Sequence, residues 1–218
     1  MVITQFTTQR LERVLRFMRT EGVEALVVTR RQDVYYLTGY DSPTLTLPVA
    51  CIITEDAQPQ LIMSRMQKEA LGQDALLADI RAIDDEPFNE WGNYRSVMFW
   101  DTIVAVLDNL GLKGGMVGLQ QERLSVKEFD YIKTQASEAG FKDISSLLWR
   151  VRQTKDDAEI EAIRKAVKIA EIGIRTALEV ANPGKTEIDA SIEIEAAMRA
   201  AGGQLRGIRA AVLSGPRA

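Results

Sequence analysis

The stretch LLWRVRQTKDDAEIEAIRKAVKIAEIGI, residues 147–174, separates two regions of different character. It opens with a basic connector, and Asp156 followed by Glu159 then forms a capping-box pattern that starts a helix. Apolar residues recur beyond that point at steps of three or four: Ile160, Ile163, Val167, Ala170, Ile174 and Leu178. This spacing predicts one long amphipathic helix. We therefore place a domain boundary here, with residues 150–155 as the linker.

Upstream of this boundary, residues 1–149 alternate between strand and helix patterns. Apolar runs predict strands at residues 24–29, 47–54, 60–64, 79–83, 116–120 and 141–144. Amphipathic runs predict helices at about residues 8–21, 65–73 and 94–110, and a further helix capped by Ser125. Residues 30–40 are predicted to be irregular or a single helical turn. This alternation is typical of an α/β domain whose strands are largely sandwiched between helices.

Downstream of it, residues 156–218 contain two predicted helices and one predicted strand. Asn182, Pro183 and Gly184 break the first helix, and Thr186 with Asp189 forms a second capping box. The second helix ends near residue 201, and residues 208–213 are predicted to form the strand. A lone strand leaves its backbone groups unpaired on both sides. We therefore expect this region to be the opening of a domain whose remainder is absent.

The composition excludes several classes of function. The chain has 218 residues, a net charge of −4 and no histidine. Without histidine there is no Ser-His-Asp triad, no imidazole base and no zinc site built on imidazole. The acidic balance gives no electrostatic case for binding nucleic acid or an anionic membrane. Cys51 is the single cysteine, no leader or membrane-spanning pattern is visible, and we expect a cytoplasmic location.

Three groups of residues invite a functional interpretation, and each has a simpler one. The carboxylates at residues 84–86 and 156–157 could bind a metal, but a solvated loop and a helix cap explain them. The glycines of residues 111–118 could form a phosphate loop, but they end a helix and precede a strand, which favours a plain connector. The tyrosines of residues 34–40 could present aromatic rings at a turn, but packing on the core is favoured.

Taken in order, four stretches resemble the creatinase, aminopeptidase P and prolidase family. They are RRQDVYYLTGY (residues 30–40), LGLKGGMVGLQQERLS (110–125), the stretch at 147–174 quoted above, and NPGKTEIDASIEIEAAMRAAGG (182–203) together with AVLSGPRA (211–218). The order and spacing of the four stretches carry the resemblance, which covers nearly the whole chain. Gln120 departs from the family's pattern, in which an acid is common at that position.

The resemblance implies an amino-terminal creatinase-type α/β domain, with a mixed sheet flanked by helices, followed by the incomplete start of a pita-bread α+β domain. In this family the pita-bread domain holds two divalent metal ions (Mn, Co or Zn) through two Asp, one His and two Glu, and paired cations activate a bridging water. The resemblance places all five ligands beyond residue 218. We therefore expect no catalytic residue, metal ligand or cofactor within this chain.

The resemblance also implies a role for the first domain, which in this family contributes to a homodimer and roofs the active-site cleft. Tyr36, Gly39, Tyr40 and Asp41 are the candidates for facing that cleft. The implied parent activity is metal-dependent hydrolysis of an Xaa-Pro peptide bond in a short peptide. Two alternatives stay open: a natural non-catalytic binding or dimerisation module, and a C–N hydrolase of a small non-peptide molecule, such as creatinase or ectoine hydrolase.

Overall fold

The computed structural model describes residues 2–42, 47–55, 59–71, 79–83, 93–204 and 210–217. Their contacts divide the chain into two compact units, Met1–Thr154 and Lys155–Ala218. The carboxylates predicted at residues 84–86 lie outside the described residues.

The first unit is built on a mixed sheet of six strands. The strands are β1 (Ala25–Val28), β2 (Val49–Thr54), β3 (Gln60–Ser64), β4 (Asp79–Ile83), β5 (Met116–Leu119) and β6 (Gly140–Asp143). Their order in the sheet is β4-β3-β2-β1-β5-β6. Only β2 runs antiparallel to its neighbours, since the β3–β4, β1–β5 and β5–β6 pairs are all parallel. The predicted α/β class with a mixed sheet is confirmed.

Within the described residues, six α-helices accompany the sheet: α1 (Val2–Glu21), α2 (Arg31–Thr38), α3 (Arg65–Ala70), α4 (Asn93–Asn109), α5 (Val126–Gln135) and α6 (Ser145–Gln153). Alternate residues of β1 enter two separate cores. Leu26 and Val28 pack with side chains of α1, α2 and α6, whereas Ala25 and Val27 pack with side chains of α4 and α5. Strands covered on both faces read as continuous apolar runs, which is why the sequence pattern identified them.

Two helices of the first unit differ from the sequence prediction. Residues 30–40 contain the two-turn helix α2 rather than an irregular segment or a single turn, and Gly39 ends it with a φ of 76°. Residues 145–153 form α6, so most of the predicted linker at 150–155 is the last part of a helix. The basic residues that suggested a solvated connector are favourable at the negative end of a helix dipole, which explains the misreading.

The second unit consists of a helical hairpin, α7 (Asp157–Val180) and α8 (Glu187–Ala200), followed by an extended segment. Both predicted capping boxes are present, Asp156 with Glu159 and Thr186 with Asp189. The helices approach closely at Gly173, where a Cβ atom would lie 2.7 Å from Sδ of Met198. The small core contains Val180, Ala190 and Ile194.

The strand predicted at residues 208–213 is wrong for its described part, 210–213, which has no strand pairing. Side chains of α8 form hydrogen bonds with the backbone groups of this segment instead. The Ala210 carbonyl accepts a hydrogen bond from Oγ of Ser191 at 2.6 Å, and the Ala210 N–H donates to Glu195. The Ser214 N–H likewise donates to Glu187 at 2.8 Å. Side-chain donors and acceptors thus replace the backbone partners that a neighbouring strand would supply.

Much apolar surface of the second unit faces solvent. The exposed side chains are Ile160, Ile163, Val167, Ile172, Ile174, Leu178, Ile188, Ile192 and Leu213. Five of them belong to the stripe that the sequence predicted for α7. We call the exposed residues other than Ile172, which lies on the opposite side of α7 from Ile174, the apolar face. Within the part of the chain that the structure describes, no helix has the length and apolar character needed to cross a bilayer.

Candidate functional site

The carboxyl ends of five parallel strands meet at one edge of the sheet in the first unit. β1, β3, β4, β5 and β6 all point toward this edge. The chain order reverses between β1 and β5, because successive strands continue from β1 in one direction while β5 lies on its other side. Open α/β sheets bind their ligands at such a reversal, outside the carboxyl ends of the strands. This edge is therefore the first place to expect functional residues.

Gln120 occupies the reversal point. It follows β5 directly, is 2% exposed, and accepts hydrogen bonds from the backbone N–H groups of Thr29 and Arg30, which follow β1. The two distances are 2.9 and 2.8 Å. The same side chain donates through Nε2 to Oδ2 of Asp33 at 2.8 Å. One amide group therefore joins the ends of two strands to the first turn of α2.

Asp33 is the buried charge at the centre of this cluster. Asp33 is 2% exposed, and its second carboxylate oxygen, Oδ1, accepts a hydrogen bond from the Arg152 guanidinium at 2.8 Å. The Arg152 side chain is 37% exposed and lies in the last turn of α6. A carboxylate that has lost its water needs such donors, because burial without them is strongly unfavourable. We call Asp33, Gln120 and Arg152 the strand-end cluster.

The loop that leaves α2 is held by a second set of hydrogen bonds. Ser42 is buried, and its carbonyl accepts from the Arg31 guanidinium at 2.6 Å. Its hydroxyl accepts from Nε2 of Gln67, a 1% exposed residue in the capping box of α3, at 2.9 Å. The loop at residues 39–42 is thereby attached both to α2 and to the first turn of α3.

The four predicted cleft residues are close in sequence but differ in place and exposure, since Tyr36 lies in α2 and the other three lie in the loop. Tyr36 and Tyr40 are each 4% exposed and belong to the apolar core beneath α2. Gly39 is partly exposed, and Asp41 is exposed. Tyr36 and Tyr40 pack on the α/β core, as the simpler interpretation of this stretch predicts, whereas the third tyrosine, Tyr35, is 54% exposed and does not. Whether Gly39 and Asp41 face a substrate cleft stays a prediction.

The two buried tyrosines lie in different electrostatic surroundings. Guanidinium carbons of Arg10 and Arg152 lie 4.7 and 5.8 Å from the centroid of the Tyr36 ring, in the geometry of cation–π contacts. Burial raises the pKa of Tyr40 above its ordinary value, although Ser42 and Arg31 favour the phenolate and oppose that rise. Tyr40 is therefore a neutral phenol at physiological pH.

The other described groups considered as functional candidates have structural roles. Asp156 caps α7, and residues 111–115 turn from α4 into β5. Cys51 is fully buried, and burial raises the pKa of its thiol to about 12. Among the described residues no three His, Cys, Asp or Glu side chains are grouped so as to hold a metal ion.

Sequence reasoning missed the strand-end cluster. In the sequence Gln120 stands out only as a departure from the family's pattern, and no local pattern marks Asp33 or Arg152. The available signal was the position of polar residues directly after apolar strands, since parallel strands bring those positions to one edge. Chemically, the cluster can hold backbone and helices in place, and it fills the reversal point with the chain's own side chains.

A family model for the Creatinase/Prolidase N-terminal domain matches residues 10–154. The chain belongs to this family. The matched range covers the sheet, all but the start of α1, and the whole strand-end cluster.

Curated relatives include peptidases. An uncharacterized hydrolase/peptidase of Sinorhizobium fredii is 29% identical over 199 residues, which cover 86% of this chain and 48% of the relative. The Xaa-Pro dipeptidase of Pyrococcus furiosus is 24% identical over 212 residues, covering 96% of this chain and 53% of the relative. The chain thus spans about half the length of the relatives it matches.

Solved structures show the same fold. An X-Pro aminopeptidase from Thermotoga maritima superimposes with a TM-score of 0.73 at 22% identity, over 89% of this chain and 50% of that protein. The prolidase from Pyrococcus horikoshii gives a TM-score of 0.68 at 19% identity, over 90% of this chain and half of that protein. At such identities the likeness establishes architecture, and activity has to be argued separately.

Proposed function

We propose that this chain is the amino-terminal portion of a metal-dependent Xaa-Pro peptidase, in which it contributes to a homodimer and caps the active site. The relatives named as Xaa-Pro dipeptidases support the substrate class. In the proposed whole enzyme, two divalent cations bind in the half that this chain does not span. The 218 residues alone are inactive.

The apolar face carries this proposal. Its members are largely open to solvent, with Ile174 63%, Leu178 79% and Ile188 68% exposed. An apolar patch of this extent on a soluble protein marks a surface that another element covers. The capping boxes and the small core show that α7 and α8 are well-formed helices. In our proposal, the half of the relatives that has no counterpart here supplies the cover.

A second candidate comes from the same family. Creatinase from a Bacillus species is 20% identical over 88% of this chain, which supports a C–N hydrolase of a small non-peptide molecule as the alternative parent. The two candidates differ in substrate, and share the proposed role of the first unit as a cap.

The test compares the 218-residue chain with the longer product of its gene. The DNA that follows codon 218 is expected to continue in frame and to encode a histidine within a few codons. The longer product, loaded with manganese or cobalt, should hydrolyse an Xaa-Pro dipeptide, while the 218-residue chain should not.

Three results would contradict the proposal. Turnover of an Xaa-Pro dipeptide by the 218-residue chain, or two metal ions retained by it after dialysis, would place the catalytic centre inside it. A stop codon after position 218, together with a stable and monodisperse dimer or hetero-complex, would favour a natural binding module. Hydrolysis of creatine but not of dipeptides would favour the C–N hydrolase.

A further inference from the structure

The geometry points to α2 as the element of the first unit that couples the end of α6 to the loop at residues 39–42. Arg31 and Asp33, both in the first turn of α2, make the two connections. The contacts of the first unit alone support the coupling. Any effect of the coupling on a substrate cleft that this loop faces rests on the proposed function.

The exit of the chain is tied to α2 through Asp33. Arg152 donates to Oδ1 of Asp33 at 2.8 Å, only two residues before the first unit ends at Thr154. The Thr154 carbonyl also accepts a hydrogen bond from the Arg13 guanidinium at 3.4 Å. Asp33 is almost fully buried, while the Arg152 side chain is 37% exposed. Loss of their contact would therefore leave a buried carboxylate with one donor fewer, whereas the guanidinium could still be solvated.

The loop is tied to the same turn of α2 through Arg31. Its guanidinium donates to the Ser42 carbonyl at 2.6 Å. Two further hydrogen bonds run from the loop to the end of the helix: the Gly39 N–H donates to the Tyr35 carbonyl, and the Tyr40 N–H donates to the Thr38 hydroxyl. The loop is therefore held to α2 at both of its ends, in addition to the hydrogen bond that the Ser42 hydroxyl accepts from Gln67.

α2 is short enough for these contacts to control it. It has eight residues, and its N-cap residue, Arg30, makes no side-chain capping hydrogen bond. Isolated helices of this length are not stable in water, so tertiary contacts hold the helix in place. Gln120 provides a third contact, since it accepts from the Arg30 N–H and donates to Asp33. Loss of the Arg152 contact should thus loosen the first turn and, through Arg31, the loop.

Hydrogen–deuterium exchange on the full 218-residue chain tests the coupling. In Arg152→Gln we expect exchange about tenfold to a hundredfold faster in peptides covering both residues 31–42 and residues 150–156, the range that loss of one charge-assisted hydrogen bond gives. Peptides of α5 and α8 should not change. Arg150→Gln is the matched control, because Arg150 lies on the same helix and contacts the Phe17 ring instead.

Arg152→Lys serves as a second variant if the glutamine variant does not fold. It keeps the positive charge but loses the planar guanidinium, and a smaller acceleration in the same two segments is expected. Acceleration confined to residues 150–156, or equal acceleration in Arg150→Gln, would overturn the coupling. No activity is measured, so a negative result here leaves the proposed function standing, and an inactive longer protein leaves the coupling standing.

Discussion

At position 120, an amide performs a task that a carboxylate could not perform beside Asp33. The Gln120 carbonyl oxygen accepts from two backbone N–H groups, and its nitrogen donates to the buried Asp33 carboxylate. A glutamate at 120 could still accept from the backbone. It would, however, place a second negative oxygen about 2.8 Å from Asp33, in a site from which water is excluded. The identities at positions 33 and 120 should therefore depend on each other.

A double-mutant cycle tests this dependence. We expect Gln120→Glu to lower the free energy of unfolding by about 2 kcal/mol or more through carboxylate repulsion. Asp33→Asn should cost a similar amount, because its amide cannot accept from both Gln120 and Arg152. Combining the two should restore stability to within about 1 kcal/mol of wild type, since the new amide at position 33 can donate to the new carboxylate at position 120. Denaturant unfolding measures all four proteins, and purely additive losses would contradict the pairing.

Cys51 provides a prediction about pH. Burial raises the pKa of its thiol from 9.0 to about 12, because the thiolate would lose its water inside the core. A thiol whose pKa is raised on folding stabilises the fold fully below pH 9.0, and that contribution is lost as the pH rises toward about 12. We expect the native protein at pH 8 to resist a thiol-specific disulfide reagent, and the unfolded protein to react completely.

Comparison with Cys51→Ala isolates this contribution. The alanine variant should lose less stability than wild type between pH 9.0 and the onset of alkaline unfolding, because it has no thiol to ionise. Rapid labelling of the native protein at pH 8 would show that β2 opens readily and would contradict the burial.

Among the elements, those that the sequence identified have a repeating apolar pattern. Strands β1 to β3 are buried on both faces, and α7 repeats its isoleucines at helical spacing, so local pattern and final structure agree. The sequence did not identify α2 or α6, since their ends depend on partners distant in the chain, such as Gln120 for α2. The strand-end cluster was missed for the same reason: Asp33 and Arg152 are 119 residues apart and meet only in the folded sheet.

Strand β5 has a glycine that packing requires. A Cβ atom on Gly118 would lie 2.6 Å from Cγ2 of Ile144 and 2.7 Å from Cδ2 of Leu26, both core side chains. We expect Gly118→Ala to destabilise the first unit by about 1–3 kcal/mol through overpacking. Thermal unfolding followed by circular dichroism measures the loss.

Gly114 offers the matched control two residues before the same strand. A Cβ atom there would meet nothing within 4 Å, and its φ lies outside the left-handed region. Gly114→Ala should change stability by only about 0.5 kcal/mol, since an unstrained alanine acts mainly on the unfolded chain. Equal losses in the two variants would show that steric crowding at Gly118 is not the cause.

At the scale of the whole molecule, the two units differ in how much of their apolar surface they bury with their own residues. The first unit covers both faces of its sheet with its own helices. The second has a core of three buried residues and leaves the apolar face open. The residues of that face on α7 could be read from the sequence, because they follow the helical repeat of that helix. What covers them could not, since periodicity shows that a face is apolar but not which surface it meets.

The apolar face should make the 218-residue chain associate with itself and bind an apolar dye. Ile163 and Ile174 are 49% and 63% exposed on α7, so replacing both with glutamate should reduce dye fluorescence and shift sedimentation toward monomer without unfolding the helix. Lys165→Gln with Arg175→Gln changes the net charge by the same two units on the same helix, and it should leave both measurements unchanged. A wild-type chain that is monomeric and binds no dye would contradict an open face, and an equal response in the two variants would attribute the effect to charge. In the longer protein of our proposal, the same isoleucine substitutions should instead destabilise the fold, because there the face is covered.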